Sequence, residues 1–266
     1  PLLMAAWKLA PALAAGNTCV LKPSEFTPLT AIRLAELLHD LKLPEGVVNI
    51  VLGDGPTVGQ PIAESTIVDK IAFTGSVNTG KRVATSALTN LKKVTLELGG
   101  KSPMVVFPDF DLDIAVDYAL FAIYCNAGQV CSAGSRMIVE QSIYDQFVKK
   151  MAARAKKIRV GPGLEAETEM GPLVSESQLK RVLEYIEIGK KEGAKLVTGG
   201  DQPKGEKYGS GYYVNPTIFS DVKSDMRVVQ EEIFGPVVVV QKFSTEEEAI
   251  ELANNSVFGL AGAVFT

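Results

Sequence analysis

The sequence predicts an α/β fold with a mainly parallel sheet followed by a second α/β unit. Short apolar segments alternate with amphipathic ones, glycines cluster where the apolar segments end, and 46% of the 266 residues are hydrophobic. Strands and helices that alternate in this way imply right-handed crossovers and a mainly parallel, Rossmann-like sheet, whose loops bind nucleotides. A chain of this length can bury one large core or two modest ones.

The first 99 residues are predicted to form the Rossmann-like unit. Its expected elements are, in order, a helix over 2–10, a strand over 17–21, a helix opened by Thr27 and Pro28, a strand over 47–52, a short helix after Gly59, a strand over 70–73, a helix over 76–87 and a strand over 94–98. Proline favours the first turn of a helix. The leucines at 34, 37, 38 and 41 then lie on one helical face.

The remaining residues, 100–266, are predicted to form the second unit. Its expected elements are a strand over 103–107, a helix capped by Asp111, a strand over 136–140, a helix opening at Ser142, a helix through 180–190, strands over 195–198, 212–219 and 237–243, and a helix with a capping box at Ser244 and Glu247. The polar, glycine-rich segment at 199–205 is expected to be a surface turn.

The segment Asn126–Ser135 places Cys131 among glycines and other small residues. Such a segment makes a poor core and a good loop over a ligand, because glycine lets a backbone come close to a reacting atom. Cysteine is the strongest ordinary nucleophile among side chains. The other two cysteines, Cys19 and Cys125, lie in apolar segments and are expected to pack in the core. The pattern therefore predicts Cys131 as a nucleophile.

The base that serves this nucleophile is found by elimination. The one histidine, His39, lies in a leucine-rich helical segment and is expected to be an ordinary surface residue, so a Cys–His couple has little support. Glu97 stands where an apolar strand runs into two glycines, and a carboxylate in apolar surroundings is suited to general base catalysis. A strand-end glutamate that only caps a neighbouring helix is the alternative.

Five segments of the chain resemble motifs of the aldehyde dehydrogenase superfamily. The paired signature is Leu-Glu-Leu-Gly-Gly-Lys-Ser at 96–102 with Gly-Gln-Val-Cys at 128–131, and the further motifs are at 22–25, 73–76 and 231–236. They follow the family's order at about its spacings, and together they are highly specific. Around residues 126–137 and 246–253 the chain is most similar to betaine-aldehyde dehydrogenases.

The resemblance implies a nicotinamide cofactor and a set of residues that bind it. The implied contacts are Lys22, Ser24, Glu25, Gly55, Gly75, Ser76, Leu98, Glu232 and Phe234. In the family, residues matching Lys22 and Glu25 hold the adenosine ribose, Ser76 lies by the pyrophosphate, and Glu232 holds the nicotinamide ribose. A glutamate at 25 would repel a 2′-phosphate, so NAD is expected rather than NADP. Trp7, Lys8 and Asn126 are expected to be supporting residues.

Two other phosphate-type patterns compete with this assignment. Gly53–Gly59 resembles a dinucleotide fingerprint, but its last interval is one residue too long, and a plain strand-to-helix turn is the alternative. Gly75–Lys81 fits a phosphate-binding P-loop until Arg82, where a Ser or Thr should bind magnesium. A P-loop-like nucleotide hydrolase is therefore one rival function. A non-catalytic structural or assembly protein with the same fold is the other.

Composition excludes several classes of function. A net charge of −4 with interspersed signs leaves no basic surface for nucleic acid. No apolar run reaches the length of a membrane span, since Lys8, Asn17 and Lys22 interrupt the apolar start. Three cysteines without paired spacing predict a reducing, cytoplasmic compartment. The sequence has no cluster of histidine or cysteine ligands, so no metal site is predicted.

The resemblance implies that Cys131 adds to an aldehyde, that hydride passes to the cofactor, and that Glu97 activates the water that hydrolyses the thioester. A homodimer or homotetramer is also implied. The chain starts at Pro1 within a helical segment and ends at Thr266 within an apparent strand. The resemblance implies that a family motif continues before Pro1 and that a further segment follows Thr266, so the isolated 266-residue chain is expected to aggregate and to lack dehydrogenase activity.

Overall fold

The computed structural model describes residues 1–266 and divides into two compact units, Pro1–Leu98 and Gly99–Thr266. The boundary between them lies one residue from the one predicted after residue 99. Each unit combines helices with mainly parallel strands, which confirms the α/β class. No helix has the length and apolar character needed to cross a membrane.

The first unit contains four helices and four strands. They are α1 (Leu2–Ala14), β1 (Cys19–Leu21), α2 (Leu29–Asp40), β2 (Val48–Ile50), α3 (Gln60–Glu64, preceded by a π-helical turn at Gly55–Gly59), β3 (Lys70–Thr74), α4 (Val77–Ala87) and β4 (Lys93–Glu97). A small apolar cluster of Ala63, Ile71 and Ala87 lies between α3, β3 and α4.

The strands of the first unit form two separate parallel pairs, β1 with β2 and β3 with β4. The sequence predicts a single sheet, whereas no ladder joins the two pairs. β1 and β2 have only three residues each, so their pair can form few hydrogen bonds. Because both pairs are parallel, the carboxyl ends of the paired strands meet at one edge, where α/β proteins bind ligands.

The second unit contains five helices and six strands. They are β5 (Pro103–Val106), α5 (Leu112–Tyr124), β6 (Arg136–Glu140), α6 (Tyr144–Ala155), α7 (Glu176–Glu192), β7 (Lys195–Thr198), β8 (Thr217–Ser220), α8 (Arg227–Gln230), β9 (Val237–Phe243), α9 (Glu246–Asn254) and β10 (Ala263–Phe265). All strands belong to one sheet in the order β10-β5-β6-β9-β8-β7, which is parallel except for the antiparallel edge strand β7.

Both faces of this sheet are covered, which explains why its central strands are apolar at successive positions. In β5, Met104 and Val106 pack in the large cluster with α5 and α6, while Val105 packs with Ala249 of α9. In a strand, neighbouring side chains point to opposite faces, so a sheet buried on both sides needs apolar residues without alternation.

One predicted cap is wrong by a single residue. Helix α9 is capped by Thr245, whose Oγ1 accepts the Glu248 N–H at 3.2 Å, and the Glu248 carboxylate accepts the Ser244 N–H at 2.7 Å. The capping box predicted at Ser244 and Glu247 is therefore displaced. In contrast, Asp111 caps α5 as predicted, because its Oδ1 accepts the N–H groups of Asp113 and Ile114.

Three other predicted elements start or end elsewhere. Helix α6 begins at Tyr144, since Ser142 is held in a turn by the Glu140 carboxylate. The strand predicted over 212–219 is confined to Thr217–Ser220, because the Asn215 N–H donates to the carbonyl of Asp201 instead of to a neighbouring strand. Helix α2 has no side-chain cap, and Leu41 of its predicted apolar stripe is 74% exposed.

Arg136 is the largest fully buried side chain of the second unit, and its guanidinium is surrounded by carbonyl oxygens. Nε donates to the Lys101 carbonyl at 2.8 Å, and the terminal nitrogens donate to the carbonyls of Leu252 at 2.9 Å and Ala253 at 2.8 Å. The last two belong to the C-terminal end of α9, whose unsatisfied carbonyls and partial negative charge favour a cation. Burial lowers the pKa of Arg136, but a guanidinium keeps its charge in proteins.

We expect Arg136→Met to destabilise the protein by about 2–5 kcal/mol, because it leaves the Lys101 and Ala253 carbonyls without the donor they have in the wild type and leaves the Leu252 carbonyl with the Asn255 N–H alone. Urea unfolding followed by circular dichroism measures the loss. Arg33→Met is the matched control, since Arg33 makes an exposed pair with Glu36 and its removal should cost about 0.5 kcal/mol or less. Equal effects of the two substitutions would contradict the role given to Arg136.

Candidate active site

The predicted site residues fall on both units. Lys22, Ser24, Glu25, Gly55, Gly75, Ser76, Glu97 and Leu98 belong to the first unit, and Cys131, Glu232 and Phe234 belong to the second. None of the side chains forms part of a cluster of three or more His, Cys, Asp or Glu residues that could hold a metal ion.

Lys22 joins the loops that follow β1 and β2. Its Nζ donates to the carbonyls of Pro23 and Gly53, both at 2.8 Å, and lies 3.6 Å from the Glu25 carboxylate. The Glu25 side chain remains 46% exposed, so one of its faces is open to a ligand. The Ser24 Oγ accepts the Phe26 N–H and shapes the same turn. These contacts place Lys22, Ser24 and Glu25 at the carboxyl end of a parallel pair.

Gly55 and Ser76 each lie at the start of a helical turn. Gly55 opens the π-helical turn that Asp54 caps, with the Asp54 Oδ1 accepting the Thr57 N–H at 2.7 Å. Ser76 caps α4 by accepting the Thr79 N–H at 3.3 Å. A helix of this length presents free N–H groups and a partial positive charge at its start. The Ser76 position is therefore suited to an anion.

Gly75 joins β3 to this helix, and a larger residue there would have to displace the Phe73 ring. Its N–H donates to the Glu97 carbonyl at 3.0 Å, and a Cβ at this position would come within 2.6 Å of the Phe73 ring. Leu98 also packs on α4, because a Cβ at Gly80 would lie 2.5 Å from its side chain. The Phe73 and Leu98 side chains thus occupy the space that a Cβ would need at these two glycines.

Glu97 is the last residue of β4, and its surroundings differ from the predicted ones. The carboxylate is 40% exposed and lies 3.7 Å from the Nζ of Lys8 in α1. The prediction of apolar surroundings is therefore wrong, because Lys8 supplies a positive charge beside it. Lys8 is the only charged residue in α1. A single charge in an otherwise apolar helix is the signal that could have indicated an acidic partner for Lys8.

The loop that carries Cys131 contains three successive residues in the left-handed region. Asn126, Ala127 and Gly128 have φ angles of 51°, 55° and 72°. Outside glycine this conformation costs about 1–2 kcal/mol per residue. A Cβ at Gly128 would collide with the Gly235 carbonyl oxygen. The tight packing of this loop against the Gly235 segment therefore holds these three residues in the unfavourable left-handed conformation.

Cys131 follows this turn and is half-buried, with its thiol free. A hydrogen bond of 3.0 Å from the Ala133 N–H to the Val130 carbonyl closes a turn around it. The N–H groups of Cys131 and Ser132 donate to no acceptor within the chain. Gln129 fixes the loop from the other side, since its Nε2 donates to the Asn126 carbonyl and its Oε1 accepts the Val174 N–H at 2.9 Å. The cysteine therefore lies beside free backbone donors. Cys19 and Cys125 are also half-buried rather than packed in the core as predicted, and burial raises the pKa of the Cys19 thiol.

The Gly99–Gly100 dipeptide connects the Cys131 loop with Glu232. A Cβ on Gly99 would collide with the Glu232 carboxylate, and one on Gly100 would collide with the Cys131 carbonyl oxygen. The Gly100 N–H donates to the Glu232 Oε1 at 3.0 Å. Burial raises the pKa of Glu232, and the Gly100 hydrogen bond opposes that rise. The structure thus brings together two predicted site residues, Cys131 and Glu232, around one pair of glycines.

Phe234 completes this part of the site. Its φ of 60° is in the left-handed region, and its ring is partly exposed. A cavity of about 10 Å³ lies among Gly100, Gly128, Glu232 and Phe234, close to the volume that one water molecule requires. The sequence singles out none of the α7 residues that contact this segment, namely Gln178, Arg181 and Tyr185.

The comparisons with known proteins agree with this fold. The sequence profile of the aldehyde dehydrogenase family matches residues 1–266, and the chain belongs to that family. It is 56% identical over 266 residues to a betaine aldehyde dehydrogenase of Bacillus subtilis, a match that covers 100% of this chain and 54% of that protein. It is 53% identical over 267 residues to the mitochondrial aldehyde dehydrogenase of Homo sapiens, covering 100% of this chain and 51% of that protein.

The solved structures give the same result. A crystal structure of betaine aldehyde dehydrogenase from Staphylococcus aureus in complex with NAD+ superposes with a TM-score of 0.98 at 48% identity, covering 100% of this chain and 53% of that chain. The fold predicted from the sequence motifs is therefore confirmed. The chain spans about half the length of the relatives it matches. The rival nucleotide hydrolase and the rival structural protein gain no support from these matches.

Lys101 is a buried cation next to the paired glycines. Its side chain is 2% exposed, and neither its Nζ nor the neighbouring Ser102 Oγ has a hydrogen-bond partner. Burial lowers the pKa of Lys101 from 10.5 to about 7, and the charge of Arg136 adds to that effect while Glu232 opposes it. A buried amine without an acceptor disfavours its own charged form.

We expect Lys101→Met to stabilise the protein at pH 7, and the gain should shrink as the pH rises towards 10. Between a folded pKa of about 7 and an unfolded value of 10.5 the unfolded state binds more protons, so the wild type gains stability with rising pH and the methionine variant does not. A gain on the order of a few kcal/mol follows from about 1.4 kcal/mol per pKa unit.

Urea unfolding at several pH values between 7 and 10 measures this difference. Lys180→Met is the control, because Lys180 is exposed and pairs with Glu176 at the surface of α7. Stability curves for wild type and Lys101→Met that run parallel across this range would show that Lys101 keeps an ordinary pKa in the folded protein.

Proposed function

We propose that the protein carrying this chain is an NAD-dependent aldehyde dehydrogenase that oxidises an aldehyde to a carboxylic acid through a covalent intermediate on Cys131. The observation that carries this proposal is the Cys131 loop, where a free, half-buried thiol lies next to backbone N–H groups without an acceptor. Membership of the aldehyde dehydrogenase family supports it. In this proposal residues 1–99 are the cofactor-binding domain and residues 100–266 the catalytic domain.

The chemistry needs two groups near the thiol. The Cys131 thiolate adds to the aldehyde carbon, and the Cys131 N–H stabilises the resulting oxyanion, since pre-positioned backbone donors are an effective way to lower such a barrier. Collapse of this adduct with loss of hydride leaves a thioester on Cys131. Glu97 then takes a proton from water, which attacks the thioester and releases the acid and the free thiol. Because Glu97 is 40% exposed, its carboxyl group can pass that proton to solvent.

NAD, when bound, would accept the hydride. The residues present fit such a cofactor. Ser76 and the start of α4 suit the pyrophosphate, and the half-exposed Glu25 carboxylate suits free ribose hydroxyls. Glu232 Oε2 has no donor within the chain, so it can accept a hydrogen bond from the nicotinamide ribose, with Phe234 packing beside it. Repulsion between Glu25 and a 2′-phosphate favours NAD over NADP. The family's known structure with NAD+ supports this choice of cofactor.

Betaine aldehyde is the substrate we propose within this class, and a homodimer or homotetramer is the proposed assembly. The Bacillus subtilis relative with 56% identity is a betaine aldehyde dehydrogenase. Comparing NAD reduction with betaine aldehyde, aminoaldehydes and simple aliphatic aldehydes tests the substrate. A trimethylammonium group binds best against aromatic faces, so preference for betaine aldehyde over an uncharged aldehyde of similar size is the expected result.

We expect Cys131→Ala to abolish aldehyde-dependent NADH formation, with a loss of at least about a thousandfold in kcat, since the reaction loses its nucleophile. Cys19→Ala and Cys125→Ala are the matched controls and should keep most of the activity. Absorbance at the NADH maximum measures the rate. Full turnover by the Cys131 variant would rule out the proposed mechanism.

Substituting Glu97 separates the second chemical step from the first. If Glu97 serves the hydrolysis of the thioester, Glu97→Gln should release one equivalent of NADH and then stall with an acyl group on Cys131. Mass spectrometry of the quenched protein detects the added mass. The double variant Glu97→Gln, Cys131→Ala should carry none. Normal steady-state turnover without an adduct would show that another group acts as the base.

A further inference from the structure

The segment that carries Glu232 and Phe234 is held by one face of α7. The Gln178 Nε2 donates to the carbonyls of Ile233 at 3.1 Å and Phe234 at 2.8 Å, and an Arg181 terminal nitrogen donates to the Glu232 carbonyl at 2.7 Å. Residues 178, 181 and 185 lie on one helical face, because they are three and four positions apart. The backbone around Glu232 is therefore fixed by side chains of a single long helix.

The acidic residue before Glu232 is held by a separate network. The Tyr185 hydroxyl donates to the Glu231 Oε2 at 2.6 Å, and Arg227 donates to both carboxylate oxygens of Glu231, at 2.8 and 3.0 Å. This two-point contact is the geometry for which a guanidinium is suited. The guanidinium carbons of Arg181 and Arg227 lie 5.0 and 5.5 Å from the centre of the Tyr185 ring, within range of cation–π attraction.

Helix α8, which carries Arg227, is itself tied to α7. The Arg227 N–H donates to the carboxylate of Glu192, the last residue of α7, at 2.9 Å. The hydrogen bonds from Arg227 hold the pKa of Glu231 down to about 2, so this carboxylate is ionised at any working pH. Burial, and then the hydrogen bond to Glu231, raise the pKa of Tyr185. The tyrosine thus stays protonated and continues to donate.

The two adjacent glutamates consequently differ in their availability to a ligand. Both oxygens of Glu231 are occupied by Arg227 and Tyr185. Glu232 accepts one hydrogen bond, from the Gly100 N–H, and its Oε2 is free. We propose that Tyr185 and Arg227 are positioning residues that fix Glu232, acting through Glu231, so that its free oxygen meets the nicotinamide ribose. This inference rests on the proposed function, in which Glu232 contacts that ribose.

The test uses two ligands that differ in the ribose at issue. NADH contains the nicotinamide ribose, whereas ADP carries only the adenosine and the pyrophosphate. The variants are Tyr185→Phe, which keeps the ring and removes the donor, and Arg227→Lys, which keeps the charge and loses the two-point contact. Tyr208→Phe is the matched control, because its hydroxyl also donates to a partly buried acceptor, the Val160 carbonyl, outside this network. NADH fluorescence titration gives its Kd, and displacement of NADH gives that of ADP.

We expect both network variants to bind NADH about three- to tenfold more weakly. Each variant weakens a hydrogen bond to the charged Glu231, and only part of that lost free energy affects the position of Glu232. Their affinity for ADP and that of Tyr208→Phe for either ligand should match wild type. Unchanged NADH binding in Tyr185→Phe and Arg227→Lys would overturn the positioning role, as would equal weakening of NADH and ADP, which indicates a general loss of structure. A wild-type protein that binds neither ligand would instead overturn the proposed function, and this inference with it.

Discussion

The close approach of the Gly99–Gly100 backbone to the Glu232 carboxylate and to the Cys131 carbonyl is the constraint on which the second unit's site depends. The Glu232 carboxylate lies on one side of the dipeptide and the Cys131 carbonyl on the other, and neither position has room for a Cβ. A similar contact without side chains occurs between Gly128 and the Gly235 carbonyl. Glycine is the only residue that allows such packing. Close van der Waals packing against these glycines therefore helps to position both the Cys131 loop and the Glu232 segment, in addition to their hydrogen bonds.

Short-range patterns in the sequence predict many of the helices and strands. Asp111 could be assigned as a cap and 136–140 and 237–243 as strands because their signals are local, and the structure has them at those positions. Cys131 stood out because no core segment contains that many small residues. The capping box at Ser244 failed by one position, since Thr245 next to it can serve equally well as a cap.

Contacts between distant parts of the chain could not be predicted in this way. The Lys8–Glu97 pair joins residues nearly the full length of the first unit apart, and Tyr185 meets Glu231 across 46 positions. A single sequence shows that such side chains are polar, but not which partner each one meets. The same limit explains Lys101, since nothing in the sequence around it indicates that its side chain is only 2% exposed.

The left-handed turn at Asn126–Gly128 also has a stereochemical meaning. Two successive L-residues adopt a conformation that their mirror images, D-asparagine and D-alanine, would favour. Ribosomal synthesis offers glycine as the one achiral substitute, but glycine at 126 and 127 would let the unbound backbone sample many more conformations. Keeping chiral residues there narrows the range of geometries open to the peptide that leads into Cys131. In this loop, the L-configuration of Asn126 and Ala127 is the source both of the backbone strain and of the restricted range of conformations.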